Sequence, residues 1–76
     1  MDTRKIVTEL LSDETGVTVQ EISADEKFEN MNMDSLAVVS LAFELEKRTG
    51  IAEIDPSVFI EHNTVNKLAL WVESRQ

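Results

Sequence analysis

Two helix-length stretches of this chain end in the same kind of signal, Thr15-Gly16-Val17 and Thr49-Gly50-Ile51, and this repetition constrains the fold more than any other feature. A glycine in such a place adopts the left-handed backbone that terminates an α-helix, and the apolar residue after it folds back on the last turn. Upstream of the first stop, Ile6, Val7, Leu10 and Leu11 recur at helical spacing and predict a helix from Asp2 or Thr3 to Thr15. Upstream of the second, Val38, Leu41, Ala42 and Leu45 share one stripe of a helix from Ser35 to Thr49. Lys47 and Arg48 lie at its negative end, where cations are favoured. Asp55-Pro56 reads as an N-cap with proline at the first helical position, opening a short helix through Ser57, Val58, Phe59, Ile60 and Glu61. Asn63 or Thr64 then caps a last helix with Val65, Leu68, Ala69 and Val72 on its core face. No run alternates with the period of a strand. The predicted class is all-α, a small bundle of three main helices plus a short third helix, with a long first loop.

Size and charge narrow the function. The chain has 76 residues, one small domain spanning 1–76, and a chain near this size buries only roughly 60% of its unfolded surface. A deep enzyme cleft would leave it too little core. With Lys plus Arg at 7 and Asp plus Glu at 15, the formal charge is −8, which repels phosphate backbones and anionic lipid headgroups. Nucleic acid and bare membrane are therefore poor partners, and a basic protein surface is a good one. Cysteine is absent, so stability comes from packing without disulfides or thiolate metal sites. The first residues lack the apolar run of a signal peptide, and no stretch approaches the ~18 apolar residues of a membrane span. The expectation is a soluble, cytoplasmic monomer. Chain ends without Pro- or Ser-rich tails point to a free-standing protein, although an excised domain would look the same.

From Gly16 to Asp34 run 19 residues without a sustained period, with Val17, Val19, Ile22, Phe28, Met31 and Met33 as expected anchors to the core. Long ordered loops of this kind tend to carry function. Seven acidic residues and a single basic one, Lys27, lie between Asp13 and Asp34. The loop ends at Asp34-Ser35, where either side chain is able to cap the helix that follows. That helix has a surplus of apolar surface: Leu36, Val39 and Phe43 form a second stripe, roughly a third of a turn from the core stripe. The short third helix is expected to cover Val39. Leu36 and Phe43 are expected to stay partly exposed beside Ser35, where a partner would meet them.

These residues resemble a known family. Met31-Asn32-Met33-Asp34-Ser35-Leu36 is similar to the Asp-Ser-Leu motif of acyl carrier proteins, and LAFELEKRTGI and FIEHNTVNKLA extend the likeness over nearly the whole chain. The resemblance implies a phosphopantetheine-binding carrier domain with the acyl carrier protein fold. Ser35 would carry 4′-phosphopantetheine, taken from coenzyme A by a phosphopantetheinyl transferase that uses its own Mg²⁺, and Asp34 would assist recognition by that transferase. It also implies a non-catalytic protein that presents thioesters to ketosynthases, acyltransferases or related synthase enzymes, with Leu36, Val39 and Phe43 as the apolar part of the docking face. Two departures bear on it. The family often has Gly where this chain has Asn32, a residue that still visits left-handed backbone. Fatty-acid carriers tend to be acidic early in the second helix, whereas Ala37 and Ser40 stand here, so the chain looks more like a polyketide-synthase carrier.

Other readings fit less well. A Ser35–His62 hydrolase lacks a Gly-x-Ser-x-Gly elbow, and His62 is expected to be solvated near the end of the third helix. Asn30, Asn32 and Asp34 have calcium-loop spacing, but Ser35 and Leu41 occupy the positions that require Gly and Glu. A peptidyl carrier of nonribosomal synthesis shares the fold and the serine chemistry, with Asp34 favouring the acyl type. An unmodified helical interaction module is the alternative from another class.

Overall fold

The computed structural model describes residues 2–76. Four α-helices follow in order, α1 (Thr3–Thr15), α2 (Ser35–Thr49), α3 (Val58–Glu61) and α4 (Val65–Arg75), and no strand occurs among the described residues. The all-α expectation is met. Each of the longer helices starts on a side-chain cap that fills an unpaired N–H of the first turn. Asp2 accepts from Lys5 N–H at 3.2 Å, Asp34 from Ala37 N–H at 2.8 Å and Thr64 from Lys67 N–H at 3.1 Å. Thr64, not Asn63, is therefore the cap of α4. Gly16 and Gly50 end α1 and α2 at φ 77° and 76°, the left-handed conformation their sequence context predicts.

The core is built from the expected stripes. Val7, Leu10 and Leu11 of α1, Leu41, Ala42 and Leu45 of α2, and Val65, Leu68 and Val72 of α4 are buried together, with Ile6 and Val38 at the edge. Burying each Leu or Val contributes roughly 1.5–3 kcal/mol. Phe28 and Met31 from the first loop, Ile54 from the loop before α3, and Phe59 from α3 complete it.

Within the first loop, Val19–Glu21 and Phe28–Asn30 each form a 3₁₀ turn. Two expectations need correction. Val19 is not an anchor but stands 42% exposed, because its turn faces outward, whereas Ile22 packs at the edge of the core. The third helix is shorter than expected. Asp55 Oδ1 accepts from Ser57 N–H at 2.8 Å and its carbonyl from Val58 N–H at 2.9 Å, which makes Asp55-Pro56-Ser57 a turn. The i→i+4 pattern begins only with Glu61 N–H to Ser57 O, leaving one helical turn from Val58 to Glu61.

Candidate functional site

The local chemistry of the α2 start decides what Ser35 is free to do. Asp34 is extended, at φ −89° and ψ 179°, so its carboxylate reaches Ala37 N–H while its carbonyl accepts from Val38 N–H at 3.0 Å. With the cap made by Asp34, the hydroxyl of Ser35 is left unengaged. Ser35 is exposed, and no hydrogen bond among the described residues uses its Oγ. The approach to this dipeptide turns through Asn32 at φ 57°, a left-handed position that asparagine tolerates better than most residues.

Tertiary contacts hold the loop that delivers Ser35. The Phe28 N–H donates to Asn63 O at 2.8 Å, the Asn66 N–H to Ala24 O at 3.1 Å, and Asn66 Nδ2 to Asp25 Oδ1 at 2.8 Å. The start of α4 therefore fixes residues 24–28, with the Phe28 ring in the core. Asn63 and Asn66 carry no sequence signal for this role, since both partners lie far away in the chain. A cleft of about 240 Å³ opens between the loop, α2 and α3, lined by Phe28, Met33, Val38, Phe59 and Ile60 together with Glu29 and Asn63; Met33 precedes and Val38 follows Ser35 in the chain. Met33 and Val38 were legible as apolar anchors, but nothing in the sequence set them on a common cleft wall.

The outer face of α2 carries the second apolar stripe into solvent. Leu36 is 81% exposed, Phe43 61% and Val39 44%. The expectation that α3 covers Val39 is therefore not met: Phe59 turns into the core and Ile60 lines the cleft on the Val38 side. Glu29 and Asp34 give the Ser35 end exposed carboxylates. At the other end Lys47 pairs with Glu44 at 3.6 Å, an exposed contact that contributes little. His62 lies far along the chain from this group and is half-buried, its ring 6.1 Å from that of Trp71, and no described hydrogen bond joins it to Ser35. It is only partly exposed where a solvated residue was expected, and no hydrogen bond among the described residues forms the Ser–His pair of a hydrolase.

A serine hydroxyl is thus left free at the head of an acidic-flanked helix. The family described as "Phosphopantetheine attachment site" aligns with residues 5–72. The chain belongs to that family of carrier domains. Among its relatives is the non-reducing polyketide synthase adaA of Aspergillus niger, 40% identical over 65 residues, covering 86% of this chain and 4% of the synthase. The non-reducing polyketide synthase PKS16 of Cladonia grayi is 37% identical over 62 residues, covering 82% of this chain and 3% of that protein. The chain thus spans a few hundredths of the length of these relatives. Its fold also matches a crystal structure, a free-standing peptidyl carrier protein from an uncharacterized secondary metabolic pathway of Acinetobacter baumannii. That match has a TM-score of 0.87 and 30% identity over 93% of this chain and 88% of that one.

The cofactor of the family is phosphopantetheine, and the residues present fit it. The positive end of a 15-residue helix would favour the phosphodiester anion that esterification of Ser35 would create. The adjacent Asp34 carboxylate opposes that charge, but its Oδ1 is engaged by the Ala37 N–H.

Proposed function

We propose that this domain is a non-catalytic acyl carrier of polyketide assembly, with 4′-phosphopantetheine esterified to Ser35 and acyl intermediates held on it as thioesters. The observation that carries the reading is the exposed Ser35 hydroxyl, left free because Asp34 makes the helix cap. When bound, the group supplies a terminal thiol on a long flexible arm. The chain's own residues do the rest. Ser35 presents its oxygen at the helix head, Asp34 fixes the first turn and adds negative charge for transferase recognition, and Leu36, Val39 and Phe43 offer an apolar docking stripe. Glu29 and the other carboxylates of the loop steer basic partners, which speeds encounter while leaving affinity modest. A carrier that serves several enzymes in turn needs that balance. Tethering then raises the effective concentration of each intermediate at the next active site.

The partners in this reading are a phosphopantetheinyl transferase and the ketosynthase and acyltransferase type of synthase enzyme. The test is intact-mass measurement after incubation with coenzyme A, Mg²⁺ and a broad-specificity transferase. One phosphopantetheine increment is expected, and none in Ser35→Ala. Gain in Ser35→Ala, or no gain in folded wild type, overturns the assignment.

The likeness to a peptidyl carrier supports a second reading, aminoacyl rather than acyl cargo. Offering the modified protein malonyl-coenzyme A with an acyltransferase, and separately an amino acid with an adenylating enzyme, separates the two. Malonyl loading is the expected outcome.

A further inference from the structure

The loop that delivers Ser35 is crowded with like charge. Asp25, Glu26 and Glu29 stand exposed with Lys27 the one cation among them, and mutual repulsion of this kind loosens a compact arrangement. One side chain outside the loop works against it. Asn66 lies in the first turn of α4, where a helix leaves N–H groups without a partner of its own. Its N–H donates to Ala24 O at 3.1 Å, its Nδ2 donates to Asp25 Oδ1 at 2.8 Å, and Arg4 Nη1 of α1 reaches its Oδ1 at 3.5 Å. The loop, α4 and α1 therefore meet at one amide. Asp25 also comes to the positive end of α4, where a negative charge is favoured. A few residues on, the Phe28 N–H donates to Asn63 O at 2.8 Å and the Phe28 side chain is buried. Only residues 29–34 then separate this stitched stretch from Ser35.

We propose that Asn66 is a positioning residue for the modification of Ser35: it holds residues 24–28 in one arrangement, so that the approach to Ser35 is already ordered when the transferase arrives. A loop loosened at Ala24 and Asp25 has to be ordered on encounter, and that loss of freedom weakens binding while the chemical step is unchanged. The bond between Phe28 and Asn63 is backbone to backbone, which leaves the side chains of Asn66 and Asp25 as the places where the stitch can be cut. This role presupposes the carrier reading, since the reaction it serves ends at Ser35.

The test is the initial rate of phosphopantetheine transfer against carrier concentration, with the end-point mass and the unfolding temperature recorded for every variant. Asn66→Ala and Asp25→Ala cut the same bond from opposite sides, and each is expected to raise KM about fivefold with kcat retained. The double variant is expected to go no further than either alone. Asp25→Asn loses the charge but keeps an acceptor oxygen for Asn66 Nδ2, so its KM stays within about twofold of wild type. A merely structural Asn66 would lower the unfolding temperature of Asn66→Ala and leave KM unmoved. KM within about twofold of wild type in folded Asn66→Ala, or in Asp25→Ala where Asn66→Ala does not fold, with a full mass gain, overturns the role of Asn66 alone. A rise in Asp25→Asn equal to that in Asp25→Ala assigns the effect to charge and overturns it as well. No mass gain in folded wild type overturns the carrier reading and the role of Asn66 with it.

Discussion

The helices α1 and α2 are built with the same hardware and face different surroundings. Each opens on an aspartate whose carboxylate accepts an N–H of the first turn, and each closes on a left-handed glycine. In each, the last threonine donates its hydroxyl to the carbonyl four residues back, at 2.7 Å for Thr15 and 2.6 Å for Thr49. That same hydroxyl accepts the N–H of the residue after the glycine, at 3.2 Å from Val17 and 3.3 Å from Ile51. Yet α1 shows Arg4, Lys5 and Asp13 to solvent, while α2 shows Leu36 and Phe43. Shared caps define where helices begin and end; the side chains left over on the outer face set how the two surfaces differ.

That comparison is breakable at several points. The largest effect on stability lies on the inner face of α2, where Leu41 is fully buried. Leu41→Ala is expected to cost about 2–5 kcal/mol in urea denaturation, against about 0.5 kcal/mol or less for Leu36→Ala on the outer face. Similar losses would erase the distinction between the faces. Next comes Phe43→Glu, expected to slow transfer from a cognate synthase partner about tenfold while the helical circular-dichroism melt is preserved. If the melt collapses instead, Phe43 belongs to the core and the docking stripe is wrong.

Gly16→Ala and Gly50→Ala sharpen the parallel itself. An added Cβ meets nothing within 4 Å at either glycine, so the penalty is that of left-handed backbone alone. Each is expected to lose about 1–2 kcal/mol, and a clear inequality would show that the two stops are not equivalent. The smallest effect concerns Asp55, which starts the turn before α3 rather than capping a long helix. Its folded-state pKa is lowered from 3.8 by hydrogen bonds from the backbone and side chain of Ser57. Its contribution is therefore present above that ordinary value and lost as pH falls through the lowered one. Asp55→Asn should flatten that part of the acid limb of a stability-against-pH curve.

Much of this was legible beforehand. Helical periodicity named the buried residues of α1, α2 and α4, because burial on one stripe repeats along a single element. Asp34-Ser35 was legible as a cap and as a candidate attachment site, and Asn32 as a left-handed residue. The extent of α3 was not, since Asp55-Pro56 starts a turn and a short helix with the same letters. Glu53 in left-handed backbone has no sequence signal at all. Val19 and Val39 were misjudged for a related reason: each is an apolar residue whose burial depends on a neighbouring segment that turns elsewhere.

By itself, the sequence determined where the long helices start and stop, which of their faces is apolar, and that an acidic loop ends in a serine. These properties depend on neighbours within a few residues, so local chemistry is sufficient. The tertiary structure decided how the loop is held through Asn63 and Asn66 and that Glu46 ties Ile54 to α2. Those outcomes depend on which distant groups compete for the same hydrogen bond or the same apolar surface, and only the folded chain brings them together.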